Sequence, residues 1–247
     1  MIQNYKTRLT DKKLLAPEVY LLRFELHEPK EIEFIPGQYV ILRLTTPEGA
    51  PASRLFSIAS SNAQRDSFEL LIKLEPFGLA STYFDKLQVG EEATFQGPAG
   101  MFRLKENKHN KIFLITGTGY APVRSMLLNE LRMTSDELRI NIFWGLPTFK
   151  DIYLFDELKK WQKEHSNFQF KLCISRETDL SPIPSEDQKF FRLGRVTNGL
   201  DDMLHVTGSM LHDTDFYLCG NREVVESLRS YLAEKNIPRE NIIFEKF

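Results

Sequence analysis

Several groups of residues in this sequence have the types and spacing to hold a phosphate. Lys111 to Thr116 (KIFLIT) is a buried-strand run ending in Gly117-Thr118-Gly119 and leading into an amphipathic stretch that begins near Pro122. Glycines let backbone approach a ligand, and the free N–H groups of a helix's first turn meet negative charge, so this turn can cradle a pyrophosphate. Pro122 suits the helix start because its missing N–H would have had no partner there. The same turn also serves as a plain tight turn, and Pro122 stands where a full G-x-G-x-x-G would have its third glycine. Gly78-Leu79-Ala80-Ser81-Thr82 opens a short helix and offers backbone amides and hydroxyls to a second pyrophosphate. A turn with a capping serine is its plain alternative. Arg54, in the run Arg54-Leu55-Phe56-Ser57, carries a permanent cation whose fork suits phosphates, unless it is only a solvated strand arginine. Ser57 brings a hydroxyl that donates or accepts, and is expected on the same strand face as Arg54.

Other chemistry is thinner. Cys219, just before Gly220, reads alone as a small buried hydrophobe, and Cys173 as core. Two cysteines cannot build an iron–sulfur cluster, which needs about four thiolates, nor a disulfide framework. His27, His109, His165, His205 and His212 are scattered without ligand spacing, so no metal site is expected. No Ser/His/Asp arrangement stands out for acyl transfer.

The elements that must position these residues fall into two grammars. Val19–Leu26, Tyr39–Leu44 and Phe68–Leu74 read as short strands punctuated by Pro, Gly and Asn, with one short helix near Ser81–Leu87. That spacing predicts an antiparallel barrel or sandwich. After about Lys105, strands at Lys111–Thr116, Leu138–Trp144, Phe168–Ser175, Phe216–Cys219 and Ile242–Phe244 alternate with helices at Pro122–Arg132, Phe155–His165 and Glu223–Lys235. Alternation of that length predicts a parallel sheet with helices on both faces. The length of 247 residues suits two domains, set at 1–105 and 106–247 with the linker in Lys105–Asn110. A composition of 42% apolar and 27% charged residues excludes wholesale disorder. With 32 basic against 34 acidic residues, nothing points to nucleic acid or a polybasic anchor. No stretch approaches a spanning helix, and the Met1 end has no signal-like apolar segment, so a soluble, cytoplasmic protein is expected.

The order of the motifs adds a resemblance. Phe34-Ile35-Pro36-Gly37-Gln38-Tyr39, Arg54-Leu55-Phe56-Ser57-Ile58-Ala59-Ser60, Gly78-Leu79-Ala80-Ser81 and Gly97-Pro98-Ala99-Gly100-Met101-Phe102 come first. Gly117-Thr118-Gly119-Tyr120-Ala121-Pro122, Cys219-Gly220-Asn221 and a final Glu245-Lys246-Phe247 follow. The series resembles the ferredoxin–NADP reductase superfamily, over nearly the whole chain. The resemblance implies an antiparallel flavin-binding β-barrel followed by an α/β pyridine-nucleotide domain. It implies Arg54 on the flavin phosphates, with Leu55 and Phe56 beside the flavin and Ser57 at flavin N5. Phe56 stands where the family usually has tyrosine, keeping the stacking face and losing the hydroxyl. Gly78, Leu79, Ala80, Ser81 and Thr82 would bind the flavin diphosphate, with Leu71, Ile72 and Lys73 alongside, which makes the flavin FAD. Thr116, Gly117, Thr118, Gly119, Pro122 and Gly220 would hold the nucleotide, and Cys219 would face the nicotinamide. Phe247 would cover one flavin face, with Glu245 approaching Ser57 and Cys219; a final-strand core contact is the plain alternative.

Ser175-Arg176 ends a strand where NADP-dependent members place Ser-Arg, so NADP(H) is favoured over NAD(H). The function so implied is an FAD-dependent NAD(P)H oxidoreductase that passes hydride between nicotinamide and flavin N5. Single electrons would then be exchanged with a separate carrier, ferredoxin or flavodoxin, since the chain has no cluster of its own. A free-flavin reductase, the reductase component of an oxygenase or cytochrome system, and a non-catalytic electron-transfer or nucleotide-sensing subunit are the alternatives.

Overall fold

A computed structural model of the chain describes residues 2–133, 138–207 and 213–247. The chain folds as two compact units, Met1–Lys105 with Ala121–Arg132, and Glu106–Tyr120 with Met133–Phe247.

The first unit is built on six antiparallel strands: β1 (Gln3–Ala16), β2 (Val19–Glu28), β3 (Tyr39–Thr45), β4 (Pro51–Ser57), β5 (Ser67–Lys73) and β6 (Glu92–Ala99). They run in the order β4-β3-β6-β1-β2-β5. The two ends meet where Ile58 bridges Leu70 and the Ala59 N–H donates to the Glu69 carbonyl at 2.8 Å, which closes the sheet on itself. Inside, Phe24, Phe68 and Phe95 pack ring to ring, with centroids 4.9 to 5.6 Å apart. Such pairs favour tilted geometry because ring faces are negative and edges positive. One short helix, α1 (Leu79–Lys86), places buried Phe84 against this cluster. Lys12 caps the helix end, its ammonium donating to the carbonyls of Phe84, Asp85 and Leu87, the favourable place for a cation on a helix dipole.

The second unit is a six-stranded parallel sheet of β7 (Asn110–Thr116), β8 (Ile140–Leu146), β9 (Phe168–Ile174), β10 (Phe191–Leu193), β11 (Thr214–Gly220) and β12 (Ile242–Lys246). The spatial order is β10-β9-β8-β7-β11-β12. Helices α4 (Val196–Thr207) and α5 (Arg222–Glu234) bury Leu200, Val225, Leu228 and Leu232 against one face, over Ile112, Leu114, Phe216 and Leu218. Helix α3 (Phe155–Glu164) packs on the other through Phe155, whose ring meets Phe170 edge-on at 6.0 Å. Between β7 and β11 the chain's direction of strand addition reverses. Ligands of open α/β sheets bind at such a switch point, outside the carboxyl ends of the strands.

One helix, α2 (Tyr120–Met133), passes from one unit's residues to the other's: its body, Ala121–Arg132, groups with the first unit. Arg124 Nη1 donates to the Ala59 carbonyl and pairs with Glu69, both at 2.8 Å, and Ser125 Oγ donates to the Ser60 carbonyl at 2.7 Å. These bonds brace the seam where β4 and β5 meet.

Strands β1, β4, β6 and β10 and helix α4 lie outside the elements that the sequence pattern predicts. Strand β1 holds Lys6, Arg8, Asp11, Lys12 and Lys13 on or beside exposed positions, and only Tyr5, Thr7, Leu9 and Ala16 are buried. Its stability comes from pairing with both β2 and β6 rather than from local apolar pattern.

Candidate functional site

In the first unit the candidate residues lie on β4, β5 and the entry to α1. Arg54 is exposed, and one guanidinium nitrogen donates to the neighbouring Ser53 carbonyl at 2.9 Å. Phe56 is half-buried and meets Phe84 edge-to-face at 5.0 Å, so one side of its ring belongs to the core. Leu55 is exposed, and Ser57 is half-buried opposite Tyr39 of β3. Ser57 stands three residues beyond Arg54. Strand alternation therefore puts the two on opposite faces, with Arg54 sharing a side with Phe56, which corrects the expectation that Ser57 and Arg54 share one.

Leu71 and Ile72 are buried in β5, and Lys73 reaches solvent with Glu75 at 3.3 Å. At the α1 entry Gly78 is the capping residue and supplies no side-chain bond. Ser81 is not the cap; its Oγ accepts the Glu75 N–H at 2.8 Å and ties down the preceding turn. A Cβ on Gly78 would stand 2.8 Å from that same Oγ. Leu79 and Ala80 are half-buried and Thr82 is exposed. An exposed guanidinium and a helix opening without a side-chain cap are each donors of the kind a diphosphate takes.

In the second unit the candidates gather at the switch point. Thr116 ends β7, and Gly117-Thr118-Gly119 forms a single 3-10 turn running directly into α2. Gly117 takes φ +51°, a left-handed conformation open to glycine at little cost. The position its Cβ would occupy has no atom within 4 Å, so the turn leaves open space beside its backbone. Gly119 is there for the opposite reason. A Cβ would stand 2.7 Å from the Cys219 carbonyl carbon, so only glycine lets the turn lie against the end of β11. Gly220 likewise gives way to the Thr116 hydroxyl. Pro122, in the first turn of α2, is buried and groups with the first unit.

Cys219 is fully buried and pairs in register with Glu245 of β12. Burial, reinforced by the Glu245 carboxylate, pushes its thiol well above the ordinary range, so it is a neutral group rather than a thiolate nucleophile. Phe247 exposes its ring while its N–H donates to the Gly220 carbonyl at 3.2 Å. Cys219, Gly220, Glu245 and Phe247 are thus brought together; Ser57 belongs to the other unit. Ser175 and Arg176 follow β9, both exposed, with their N–H groups bound to the carbonyls of Leu146 and Pro147. Beside them Glu177 accepts the Phe149 N–H at 3.3 Å. Among the described residues no group of His, Cys, Asp and Glu has the arrangement of a metal site, and no helix is long and apolar enough to cross a membrane. His212 lies outside the described residues.

Sequence reasoning missed the aromatic residues behind the Gly117 turn. Trp144 Nε1 and Tyr153 Oη both donate to the Gly117 carbonyl, at 3.0 and 2.9 Å. The Tyr120 ring stacks on Trp144 at 4.3 Å. Tyr120 stands in the motif and Trp144 at the end of a strand, but no spacing rule joins either to Tyr153.

Residues 6–104 match the family described as the oxidoreductase FAD-binding domain, and residues 113–230 the oxidoreductase NAD-binding domain. The reductase component of propane 2-monooxygenase from Gordonia sp. (strain TY-5) is 30% identical over 248 residues, covering 100% of this chain and 68% of that protein. The terephthalate 1,2-dioxygenase reductase component 1 of Comamonas sp. is 28% identical, covering 99% of this chain and 68% of its own length. The fold is shared with the crystal structure of an Amycolatopsis cytochrome P450 reductase, at a TM-score of 0.85 and 22% identity, over 100% of this chain and 70% of that one.

Proposed function

The chain belongs to the ferredoxin–NADP reductase superfamily, with FAD- and NAD-binding domains in series, and from that premise we propose that it is the reductase of an oxygenase system. In this reading it takes electrons from NAD(P)H and delivers them to an oxygenase component or to a small iron–sulfur carrier serving it. The observation that carries this is the match of the whole chain to the reductase component of a monooxygenase. The first expectation, a dedicated partner of ferredoxin or flavodoxin, has less behind it, because both curated relatives described above serve oxygenases. The two cysteines of these 247 residues are buried in different strands, so they supply no thiolate ligands for an iron–sulfur centre.

Bound FAD supplies the exchange between two-electron nicotinamide chemistry and one-electron transfer. The chain's own residues bind and orient. Arg54 and the α1 amides neutralise the FAD diphosphate, with Lys73 alongside. Ser57, at the end of β4, would offer its hydroxyl to the flavin ring, while one side of the Phe56 ring is committed to the core. The Gly117 turn would take the nucleotide's pyrophosphate, and the buried, neutral Cys219 beside it would not compete as a nucleophile. Arg176 supports NADP(H), since a 2′-phosphate needs a cation.

The test is anaerobic reduction of the purified FAD protein, followed by stopped-flow oxidation with three acceptors. Flavin bleaching by NADPH, faster than by NADH, is expected, with electrons passing faster to an oxygenase iron–sulfur component than to a ferredoxin or flavodoxin. No bleaching with either nucleotide removes the reductase reading. Fastest turnover with ferredoxin or flavodoxin returns it to the first expectation.

A further inference from the structure

Resting on the pyridine-nucleotide reading of the Gly117 turn, we propose that Trp144 and Tyr153 are positioning residues that aim the Thr118 N–H at the nucleotide's pyrophosphate. The Gly117 carbonyl receives the Trp144 indole N–H at 3.0 Å and the Tyr153 hydroxyl at 2.9 Å. The Tyr120 backbone N–H also points to it. An indole nitrogen can only donate, and the phenol spends its single proton on this carbonyl, so neither bond can reverse. Both side chains are themselves locked. Trp144 is fully buried, stacked on its face by the Tyr120 ring at 4.3 Å and met edge-on by Tyr153 at 4.7 Å. Tyr153 is 4% exposed, and burial raises its phenol far above the ordinary range, which keeps its proton in place.

The consequence follows from peptide geometry. In a planar trans peptide the C=O of one residue and the N–H of the next point in opposite directions. A Gly117 carbonyl pinned inward by two buried donors therefore turns the Thr118 N–H away from the aromatic pair. The left-handed Gly117, with open space where its Cβ would be, permits that orientation. Hydrogen bonds to the carbonyl also polarise the peptide unit, strengthening the N–H on its far side as a donor. A flexible glycine turn would have to order on binding; this one is ordered beforehand, and preorganisation is worth affinity.

Two hydride donors separate this role from a merely structural one. NAD(P)H carries the pyrophosphate, whereas 1-benzyl-1,4-dihydronicotinamide carries the same reacting ring and no phosphate. Tyr153→Phe keeps the ring and removes only the hydroxyl. Its KM for the preferred nucleotide is expected to rise about three- to tenfold, the cost of one hydrogen bond. Its kcat, its flavin absorbance and its rate with the benzyl compound should stay at wild-type values. Trp144→Phe is expected to move in the same direction. Equal losses with both donors, or no loss with either, overturn the proposal. A second measurement needs no variant: in the wild-type FAD protein, adding NADP+ or NAD+ should move the Thr118 amide proton resonance downfield. An unmoved resonance overturns the proposal as well. Failure of the wild type to accept hydride from either nucleotide, while accepting it from the benzyl compound, is a different result and removes the pyridine-nucleotide reading itself.

Discussion

The two glycine turns proposed to hold phosphates in this chain are built in opposite ways. Gly78 opens the eight-residue helix α1 and is held from the surface, by the Ser81 hydroxyl on the Glu75 N–H, with a Lys73–Glu75 ion pair nearby. Exposed pairs of that kind contribute little. The Gly117 turn is held from behind by a buried indole and a buried phenol, and from below by the carbonyl of Cys219. The first turn, held by movable surface side chains, has room to adjust around a ligand. The second is finished before anything binds, and the difference predicts where the protein tolerates change.

Added methyl groups should break the comparison most sharply. At Gly119 a Cβ meets backbone, with the Cys219 carbonyl carbon at 2.7 Å and the Gly220 nitrogen at 3.1 Å, and neither can swing aside. Gly119→Ala should cost about 1–3 kcal/mol by overpacking, lower the Tm by roughly 5 °C, and raise the KM for nucleotide more than tenfold. At Gly78 the nearest atom is a serine hydroxyl, the movable end of a side chain. Gly78→Ala should stay within about 1 kcal/mol, the value of the displaced hydrogen bond, with FAD still bound. Differential scanning calorimetry on both variants checks this, and equal losses would erase the distinction.

The charge on the first turn's side comes next. Arg54 is exposed and is bonded to its neighbour's carbonyl, so Arg54→Ala should leave the Tm of the apoprotein unchanged. Losing a charge-assisted hydrogen bond costs about 1.5–3 kcal/mol, so FAD should bind roughly 10- to 100-fold more weakly by isothermal titration of the apoprotein. KM for nucleotide, measured with excess FAD, should hold. A fall in Tm without loss of FAD affinity would make Arg54 structural instead.

How far the sequence shows this follows from how locally each feature is encoded. The parallel strands β7, β8, β9 and β11 are readable because burial on both faces gives continuous apolar runs such as KIFLIT. Strand β4 is hidden: Pro51-Ala52-Ser53-Arg54 has no apolar alternation, and its partner β3 rather than its own residues fixes it as a strand. The glycines of both turns are visible as motifs, but for different reasons: backbone crowding demands glycine at Gly119, a left-handed φ favours it at Gly117, and Gly78 meets only a movable serine hydroxyl. The aromatic clamp is not, because Trp144 and Tyr153 come from separate elements and meet only on the carbonyl of Gly117. The face of Ser57 relative to Arg54 follows from their three-residue separation once residues 54–57 are known to be strand.

The smallest effect separates the turns by pH. Beneath the second turn, burial raises the Cys219 thiol, with the Glu245 carboxylate adding to it, and raises Cys173 in the same sheet to about 12. A thiol titrates near 8.5 in an unfolded chain. Because the folded values are higher, the stability held by the neutral thiols is complete below about pH 8.5 and is lost as the pH climbs toward them. The Tm should therefore fall between about pH 8 and pH 10, and Cys219→Ala should make that fall shallower while starting from a slightly lower value at pH 7. An unchanged slope in Cys219→Ala would mean that the thiol ionises as easily folded as unfolded. The second turn would then rest on a wetter floor than its burial implies, and the contrast with the surface-held first turn would lose its physical basis.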